Sequence, residues 1–226
     1  WKEHICYKFL NLTELSILRR CHTFFEKYWQ NVMAQNVIRV PQGCSTVEKA
    51  MDLAVIFSER KEYTTDDPLK IRLDEGVHEI VGNDRGFMRV TCSHITFVGK
   101  GKNQTTILGG FHVANQQNVT FEELTLTNQA NQAAGYGLLL MGSETNVDVL
   151  KCVVKECGSA GMWVQGGATV TATQCEFMEN GGGGMGVVDG ATVTATQCAF
   201  LENGTLTLTH GVYCRGANTK ARLNDC

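Results

Sequence analysis

The chain has 226 residues, with 24 glycines, 10 cysteines, only 2 prolines and a formal net charge of −3. A slightly acidic chain without a basic run is a poor partner for nucleic-acid phosphates, so we predict no nucleic-acid partner. No apolar stretch approaches the roughly 18 residues of a membrane-spanning helix, and no signal peptide is recognisable, so we expect no membrane association. The chain begins at Trp1 without an initiator methionine and is expected to be part of a longer protein.

Residues 1–35 contain no glycine and show a helical pattern of apolar side chains. Asn11–Glu14 has the pattern of a capping box, which predicts one helix before it and a second helix after it. Two helices this short cannot form a core of their own, so they must dock against another surface. The apolar positions at helical spacing are Ile5, Phe9, Leu10, Leu15, Leu18, Cys21, Phe24, Phe25 and Tyr28.

Two stretches of this segment, His4–Leu15 and Leu18–Trp29, resemble the F-box. They have an Ile before an aromatic–Leu pair, then a Leu-containing second helix, then an aromatic stretch that ends in Trp. The Leu-Pro pair that usually opens an F-box is absent, because the chain begins too late to include it. The resemblance implies binding to the Skp1-like adaptor of a cullin-RING ubiquitin ligase, and the alternative is a helical cap for the following domain. The implied adaptor-binding residues are Ile5, Phe9, Leu10, Leu15, Leu18, Phe24 and Trp29.

Residues 36–67 are predicted to cap the domain that follows. Val37–Pro41 has the composition of a first strand. Ser45–Glu48 has the pattern of a capping box, which predicts an amphipathic helix through Phe57. A strand, a loop and a helix at this place would cover the open end of a repetitive core. Lys61–Pro68 is polar and acidic, and we predict a surface loop there.

Residues 68–226 contain a near-identical internal repeat. Gly167–Cys175 returns as Gly190–Cys198 after a shift of 23 residues, and Cys152 precedes Cys175 by the same shift. A fixed period of about 20–50 residues predicts a stacked architecture in which each unit contacts only its neighbours. We expect the repeat to continue beyond residue 226, because stacked repeats need a cap at each end.

Each repeat contains short segments of alternating apolar and polar residues, separated by Gly and Asn. In Thr169–Thr173 the alternation places Val170 and Ala172 on one face and the threonines on the other. Three strands and three turns per repeat predict a mainly β fold, a right-handed parallel β-helix with a short N-terminal F-box-like segment and a capping helix. Its coils would pair about 4.8 Å apart. The repeats are similar to pectin-lyase-like β-helices, and an F-box followed by such repeats is the arrangement of a group of F-box substrate receptors.

The cysteines indicate the compartment. Cys152, Cys175 and Cys198 fall at the same point of successive coils, where small buried thiols would fill a repeated core position. Disulfides in a secreted protein are the alternative, but this placement favours free thiols in a reducing compartment. We therefore expect a cytoplasmic or nuclear protein. The spacings of cysteine and histidine give no zinc signature, and we predict neither a metal nor a cofactor.

An enzyme of the polysaccharide lyase or hydrolase type is a minor alternative, since pectin-lyase-like folds often carry such activities. A lyase would need carboxylates for Ca²⁺ and a basic side chain, and a hydrolase would need paired carboxylates. Glu179 and Glu202 occupy equivalent positions, but they lie at turn corners where solvated charges are common. We predict no catalytic residues and no enzyme activity.

The repeat segment that contains Gly161–Val164 predicts a recognition face. Alternation should direct one row of side chains outward, formed by Leu139, Trp163, Gly186 and Tyr213. Exposed apolar and aromatic groups usually mark contact sites, although a loop or a further segment could cover them instead. The predicted recognition residues, including those of the neighbouring row, are Leu139, Met141, Trp163, Gln165, Val188, Tyr213 and Arg215.

Two functions follow from these features. The first is an F-box substrate receptor in which the β-helix binds a protein substrate that the sequence does not identify. The second is a non-catalytic structural or glycan-binding β-helix, for example in a virion or an extracellular matrix, in which residues 1–35 act only as a cap.

Overall fold

The structure is a computed structural model that describes residues 34–81, 86–129, 135–204 and 211–226. The internal contacts divide the chain into two compact units, Trp1–Val37 and Ile38–Cys226. The β-helix lies in the second unit. The residues predicted to contact an adaptor, Ile5, Phe9, Leu10, Leu15, Leu18, Phe24 and Trp29, lie outside the described residues.

Three sheets form the sides of the β-helix. The first sheet has eight strands, in the order β1 (Val37–Val40), β2 (Leu69–Leu73), β5 (Ile95–Val98), β8 (Val119–Glu122), β11 (Asn146–Leu150), β14 (Thr169–Thr173), β17 (Thr192–Thr196) and β20 (Lys220–Asn224). The second has six, in the order β4 (Phe87–Val90), β7 (Gly110–Ala114), β10 (Leu138–Met141), β13 (Ala160–Gln165), β16 (Gly183–Val188) and β19 (Val212–Arg215). The third also has six, in the order β3 (Gly76–Glu79), β6 (Thr105–Leu108), β9 (Thr125–Thr127), β12 (Val153–Lys155), β15 (Glu176–Met178) and β18 (Ala199–Leu201).

Each of the six complete coils contributes one strand to each sheet, and neighbouring coils pair in parallel. In the first sheet Thr169 pairs with Thr192 and Val170 with Val193, which is the 23-residue shift of the sequence repeat. In the second sheet Met162 pairs with Met185. The predicted parallel β-helix, with three strands in each coil, is therefore confirmed.

Identical or similar side chains stack along the interior. Phe97 stacks on Phe121 with ring centroids 5.2 Å apart, and Phe177 stacks on Phe200 at 5.1 Å. These rings are nearly parallel, at interplanar angles of 10° and 8°. Because no coil can bury its apolar face alone, this stacking is the main source of stability.

The cysteine row is a row of free, buried thiols, as predicted. Cys152 and Cys175 lie at the corner that follows the first sheet and are buried. Each thiol donates to the carbonyl oxygen two residues earlier, at 3.3 Å for both. Burial raises the pKa of Cys152 to about 12, so this thiol stays protonated and unreactive at neutral pH.

A second interior row consists of asparagine side chains at the corners between strands. Asn180 has 0 % exposure, and its Oδ1 accepts from the backbone nitrogen of Cys157 at 3.1 Å. Its Nδ2 donates to the Val154 carbonyl oxygen at 3.0 Å and to Asn203 Oδ1 at 2.9 Å. Asn180 therefore satisfies backbone groups at a corner where the sheet hydrogen bonds are interrupted.

The capping helix α1 spans Val47–Ser58 and buries one face. The predicted capping box is wrong in detail. Thr46, not Ser45, is the N-cap, and its side chain accepts from the backbone nitrogen of Lys49 at 3.3 Å. Glu48 does not reach back to the cap, because its Oε1 accepts from the backbone nitrogen of Val81 at 2.7 Å. The buried residues of α1 are Val47, Ala50, Met51, Ala54 and Phe57.

The segment after α1 also differs from the prediction. Tyr63 is only 5 % exposed, so Lys61–Pro68 is not entirely a surface loop. A single aromatic side chain in a polar segment can anchor it to the core, because burial of one ring outweighs the cost of ordering a few polar neighbours. Within the described ranges, no helix has the length and apolar character that a membrane span requires.

Candidate functional site

The outward side of the second sheet, which we call the recognition face, carries the predicted row in the predicted register. Leu139 pairs with Trp163, Trp163 with Gly186 and Gly186 with Tyr213. The row continues upstream, because Leu139 also pairs with His112. Nothing in the geometry of a coil requires these outward residues to match, and they differ from coil to coil.

Trp163 is the centre of this face. Its ring leans over the neighbouring coil, where a Cβ atom placed on Gly186 would lie 2.2 Å from Trp163 Cε3. The absence of a side chain at Gly186 therefore makes room for the indole. Beyond Gly186, the ring of Tyr213 lies 6.4 Å from that of Trp163 at an interplanar angle of 16°. Trp163 Nε1 donates to Gln165 Oε1 at 2.9 Å.

A further aromatic residue, Tyr136, belongs to this face and is absent from the row predicted from the sequence. The ring of Tyr136 lies 5.8 Å from that of Trp163, and it stacks on Phe87 at 6.4 Å and 12°. Tyr136 precedes strand β10, so it is out of step with the row that contains Trp163. The sequence signal that could have revealed it is the Gly135–Gly137 stretch, in which a large ring stands between two glycines.

Most of the predicted recognition residues are accessible. Trp163 and Gln165 are partly exposed and Arg215 is exposed, but Val188 is only 8 % exposed. The prediction that Val188 contributes contact surface is therefore wrong. The physical reason is its short branched side chain, which lies at an outward position beside the longer side chain of Arg215 in the next coil. The other partly exposed residues of the predicted set are Leu139, Met141 and Tyr213.

His112 lies in the same row and carries a polar atom without a partner. Within the described part of the chain, its Nε2 atom is buried and forms no hydrogen bond. Burial lowers the pKa of His112, and the positive charge of Arg89 in the adjacent coil acts in the same direction. His112 is therefore neutral at pH 7 and forms part of the less polar end of the face.

A small cleft of about 340 Å³ lies where the strands of the second sheet end. Gln165 belongs to both the cleft and the aromatic row, because it also accepts the hydrogen bond from Trp163. The cleft is mixed in character, with amide and carboxylate groups beside methyl and backbone groups. Its lining consists of Ala114, Asn115, Met141, Gly142, Gln165, Gly166 and Asp189.

A larger cleft of about 1120 Å³ lies at the corner between the first and third sheets. Several of its charged side chains form ion pairs. Lys102 pairs with Glu176, and Lys151 Nζ lies 3.4 Å from Glu123 Oε1. Thr125 Oγ1 donates to the Lys102 carbonyl oxygen at 2.5 Å, which holds the loop over the third sheet. The lining also includes the Asp225 carboxylate and the Cys198 thiol, which belong to neither ion pair.

The acidic residues considered for catalysis lie at an exposed corner. Glu179 and Glu202 are exposed and follow equivalent residues of β15 and β18. Both have left-handed backbone, with φ of 54° and 50°. Over the described ranges, no group of three or more His, Cys, Asp or Glu side chains is placed to hold a metal ion.

Comparisons with known proteins agree with this architecture. Residues 80–226 match the family model described as a right handed beta helix region. The searches of curated proteins and of solved structures returned no significant match. The family model covers more than half of the chain, and the three parallel sheets have the corresponding form. The chain therefore belongs to the family of right-handed β-helix proteins.

Proposed function

We propose that this chain is the substrate receptor of a cullin-RING ubiquitin ligase of the F-box type. Residues 1–35 bind the Skp1-like adaptor, and the β-helix is a non-catalytic scaffold that binds the substrate. The observation that carries the adaptor role is the F-box-like sequence of His4–Leu15 and Leu18–Trp29. A compact unit that ends at Val37 is compatible with an adaptor-binding module followed by a separate scaffold.

The scaffold role is supported by the contrast between a regular interior and a variable outward face. Substrate recognition needs surface groups that can differ without disturbing the stack, and the recognition face supplies Trp163, Gln165 and Arg215. A regular β-helix holds these groups on strands, which position a binding site more rigidly than loops do. The substrate would be a protein that presents its ligand group to this face.

The proposal places the protein in the cytoplasm or nucleus, where ubiquitin ligases of this type work. Free cysteines support this location, because adjacent coils place thiols such as Cys175 and Cys198 beside each other without a disulfide between them. Among the described residues, the free cysteines are Cys44, Cys92, Cys152, Cys157, Cys175, Cys198, Cys214 and Cys226.

The adaptor role is tested by co-purification of the full-length protein with Skp1. We expect stoichiometric binding, and we expect the double substitution Leu15→Asp and Leu18→Asp to abolish it, because buried carboxylates would face an apolar adaptor surface. Trp163→Ala, which changes only the β-helix, is the control and should bind Skp1 as the wild type does. Failure of the wild-type protein to bind Skp1 would show that residues 1–35 are not an F-box.

A second candidate is a glycan-binding or structural β-helix with no link to ubiquitin. The aromatic row beside the polar cleft favours it, because this combination suits a small polar ligand with apolar faces. The minor alternative, a polysaccharide lyase or hydrolase, receives little support from the paired charges of the larger cleft. Release of reducing ends from a panel of plant and microbial polysaccharides would establish that alternative, and we expect none.

A further inference from the structure

The cysteine row extends over four successive coils. Each of its members lies two residues after a strand of the first sheet. Because Thr196 pairs with Asn224, the same register places Cys226 beside Cys198. Coils in such a stack are about 4.8 Å apart, so neighbouring sulfurs repeat at a similar distance. The members of the row are Cys152, Cys175, Cys198 and Cys226.

The side chains of the cysteine row all have the same orientation. In each member, Sγ lies 3.3 or 3.4 Å from the carbonyl oxygen two residues earlier. Each Sγ also lies within 3.5 Å of a carbonyl oxygen in the first-sheet strand of the preceding coil. The Cys198 thiol is within hydrogen-bonding reach of the thiols of Cys175 and Cys226. The backbone therefore holds neighbouring sulfurs side by side.

The larger cleft gives access to one end of the cysteine row. Cys175, Cys198 and Cys226 belong to the lining of this cleft of about 1120 Å³. Cys226 is exposed, so a small ion reaches it from solvent without opening the stack. Cys198 is only 3 % exposed, and an ion bound between the two thiols is therefore partly shielded from water.

The number of donors determines which ion fits this place. Zinc in a structural site takes about four ligands, and calcium takes about six to eight oxygen ligands. Among the residues that the structure describes, no three His, Cys, Asp or Glu side chains are placed to bind one ion together. Two thiolates alone suit a soft closed-shell ion that accepts linear two-coordination, and thiolate ligands select Cu(I) among the soft ions of the cell.

The spacing of the coils also fits such an ion. A metal–sulfur bond of about 2.3 Å, as in zinc thiolates, places two sulfurs on opposite sides of one ion about 4.6 Å apart. This separation is close to the coil spacing of about 4.8 Å. The two thiols can therefore bind one ion without a change in the packing of the coils.

We infer that Cys198 and Cys226 bind one Cu(I) ion in the larger cleft as a linear bis-thiolate. Binding exchanges two protons for the ion: two S–H bonds break, two S–Cu bonds form, and both protons go to solvent, with no change of oxidation state. The ligands come from different coils, so the short cysteine spacings that predict a zinc site do not reveal them. The inference replaces the sequence-based expectation that no metal binds, and it is independent of the proposed receptor role.

The test is Cu(I) binding to the reduced full chain under anaerobic conditions, measured by competition with a coloured Cu(I) chelator. We expect the chain to retain one ion. X-ray absorption at the copper edge should show two sulfur ligands and neither nitrogen nor oxygen. Excess Zn²⁺ should not displace the Cu(I), because two donors do not complete a tetrahedral site.

Four substitutions locate the ion. Cys198→Ser and Cys226→Ser should each lower the Cu(I) affinity by at least about 100-fold, because loss of a ligand costs more than loss of a group that only orients one. Cys226→Ser changes an exposed side chain and tests the site even if Cys198→Ser fails to fold. Cys157→Ser is the matched control, since Cys157 is also buried but has Asn180 as its neighbour in the next coil. Cys214→Ser removes an exposed thiol outside the row, and both controls should retain the ion.

Several results would overturn the inference. They are loss of all Cu(I) from the wild-type chain to the chelator, a copper ion with three or more ligands, and unchanged affinity in folded Cys198→Ser or Cys226→Ser. An equal loss of affinity in Cys157→Ser or Cys214→Ser would show non-specific binding to thiols and would also overturn it. The adaptor role is judged separately, because the Leu15→Asp and Leu18→Asp variant should keep Cu(I) while it loses Skp1.

Discussion

The interior of the β-helix and the recognition face are built from the same strands but follow different rules. Inside, Cys175 repeats as Cys198 and Phe177 stacks on Phe200. Outside, Trp163 is followed one coil later by Gly186, which has no side chain. The interior must present the same shape at each coil because coils pack directly on one another. The outward row has no such constraint, so its variation is where recognition can reside.

The largest expected loss of stability comes from a substitution in the interior. Phe177→Ala removes a ring that is 0 % exposed and stacks on Phe200 at 5.1 Å. Loss of a buried ring and the cavity left behind should lower the free energy of unfolding by about 4 kcal/mol. Urea denaturation monitored by circular dichroism measures the free energy of unfolding. Met178→Ala, which changes a partly exposed neighbour, is the control. A loss equal to that of the control would show that the stack is not continuous.

A slightly smaller effect is expected at the asparagine row. Asn180→Ala removes the side-chain partners of the Cys157 nitrogen and the Val154 carbonyl at once, whereas Asn203 Oδ1 keeps its hydrogen bond from the Asn180 backbone nitrogen. Buried groups left without partners should cost roughly 3 kcal/mol in total. Glu179→Ala changes the exposed neighbour and should alter stability by less than about 0.5 kcal/mol. Equal stability of the two variants would mean that water replaces the amide.

The smallest expected effect is a gain in stability from a substitution at an exposed residue. Gln174 is exposed and has φ of 55°, in the left-handed region where a Cβ atom is unfavourable. Gln174→Gly should therefore stabilise the fold by up to about 1 kcal/mol, even though the change makes the unfolded chain more flexible. Gln174 also bonds Gln197 through exposed side chains, and loss of that bond should matter little. The measured change in urea midpoint should be an increase, and a decrease would contradict the strain argument.

The fold could be predicted from the sequence because the residue pattern repeats at a fixed period. A shift of 23 residues predicted that Thr169 pairs with Thr192 and that Trp163 and Gly186 share a row. Stacked coils convert sequence spacing directly into spatial pairing, so register follows from the repeat. Asn180 and Asn203 carry the same periodic signal, but asparagine is also a common turn residue, so its repetition alone does not indicate an internal hydrogen-bonding row.

Features that depend on departures from the period could not be predicted. Glu48 bonds the backbone of Val81, 33 residues away, in a part of the chain that precedes the regular coils. Tyr136 reaches Trp163 although it is out of step with the outward row. The burial of Val188 depends on the side chains of adjacent coils and not on the direction in which its strand position points.

The most direct test of the division between a structural interior and a binding face is urea unfolding of Trp163→Ala. Trp163 is partly exposed, so we predict a cooperative transition whose free energy of unfolding is lowered by no more than about 2 kcal/mol. A variant that loses its transition, as Phe177→Ala is expected to approach, would place Trp163 in the core and contradict the account.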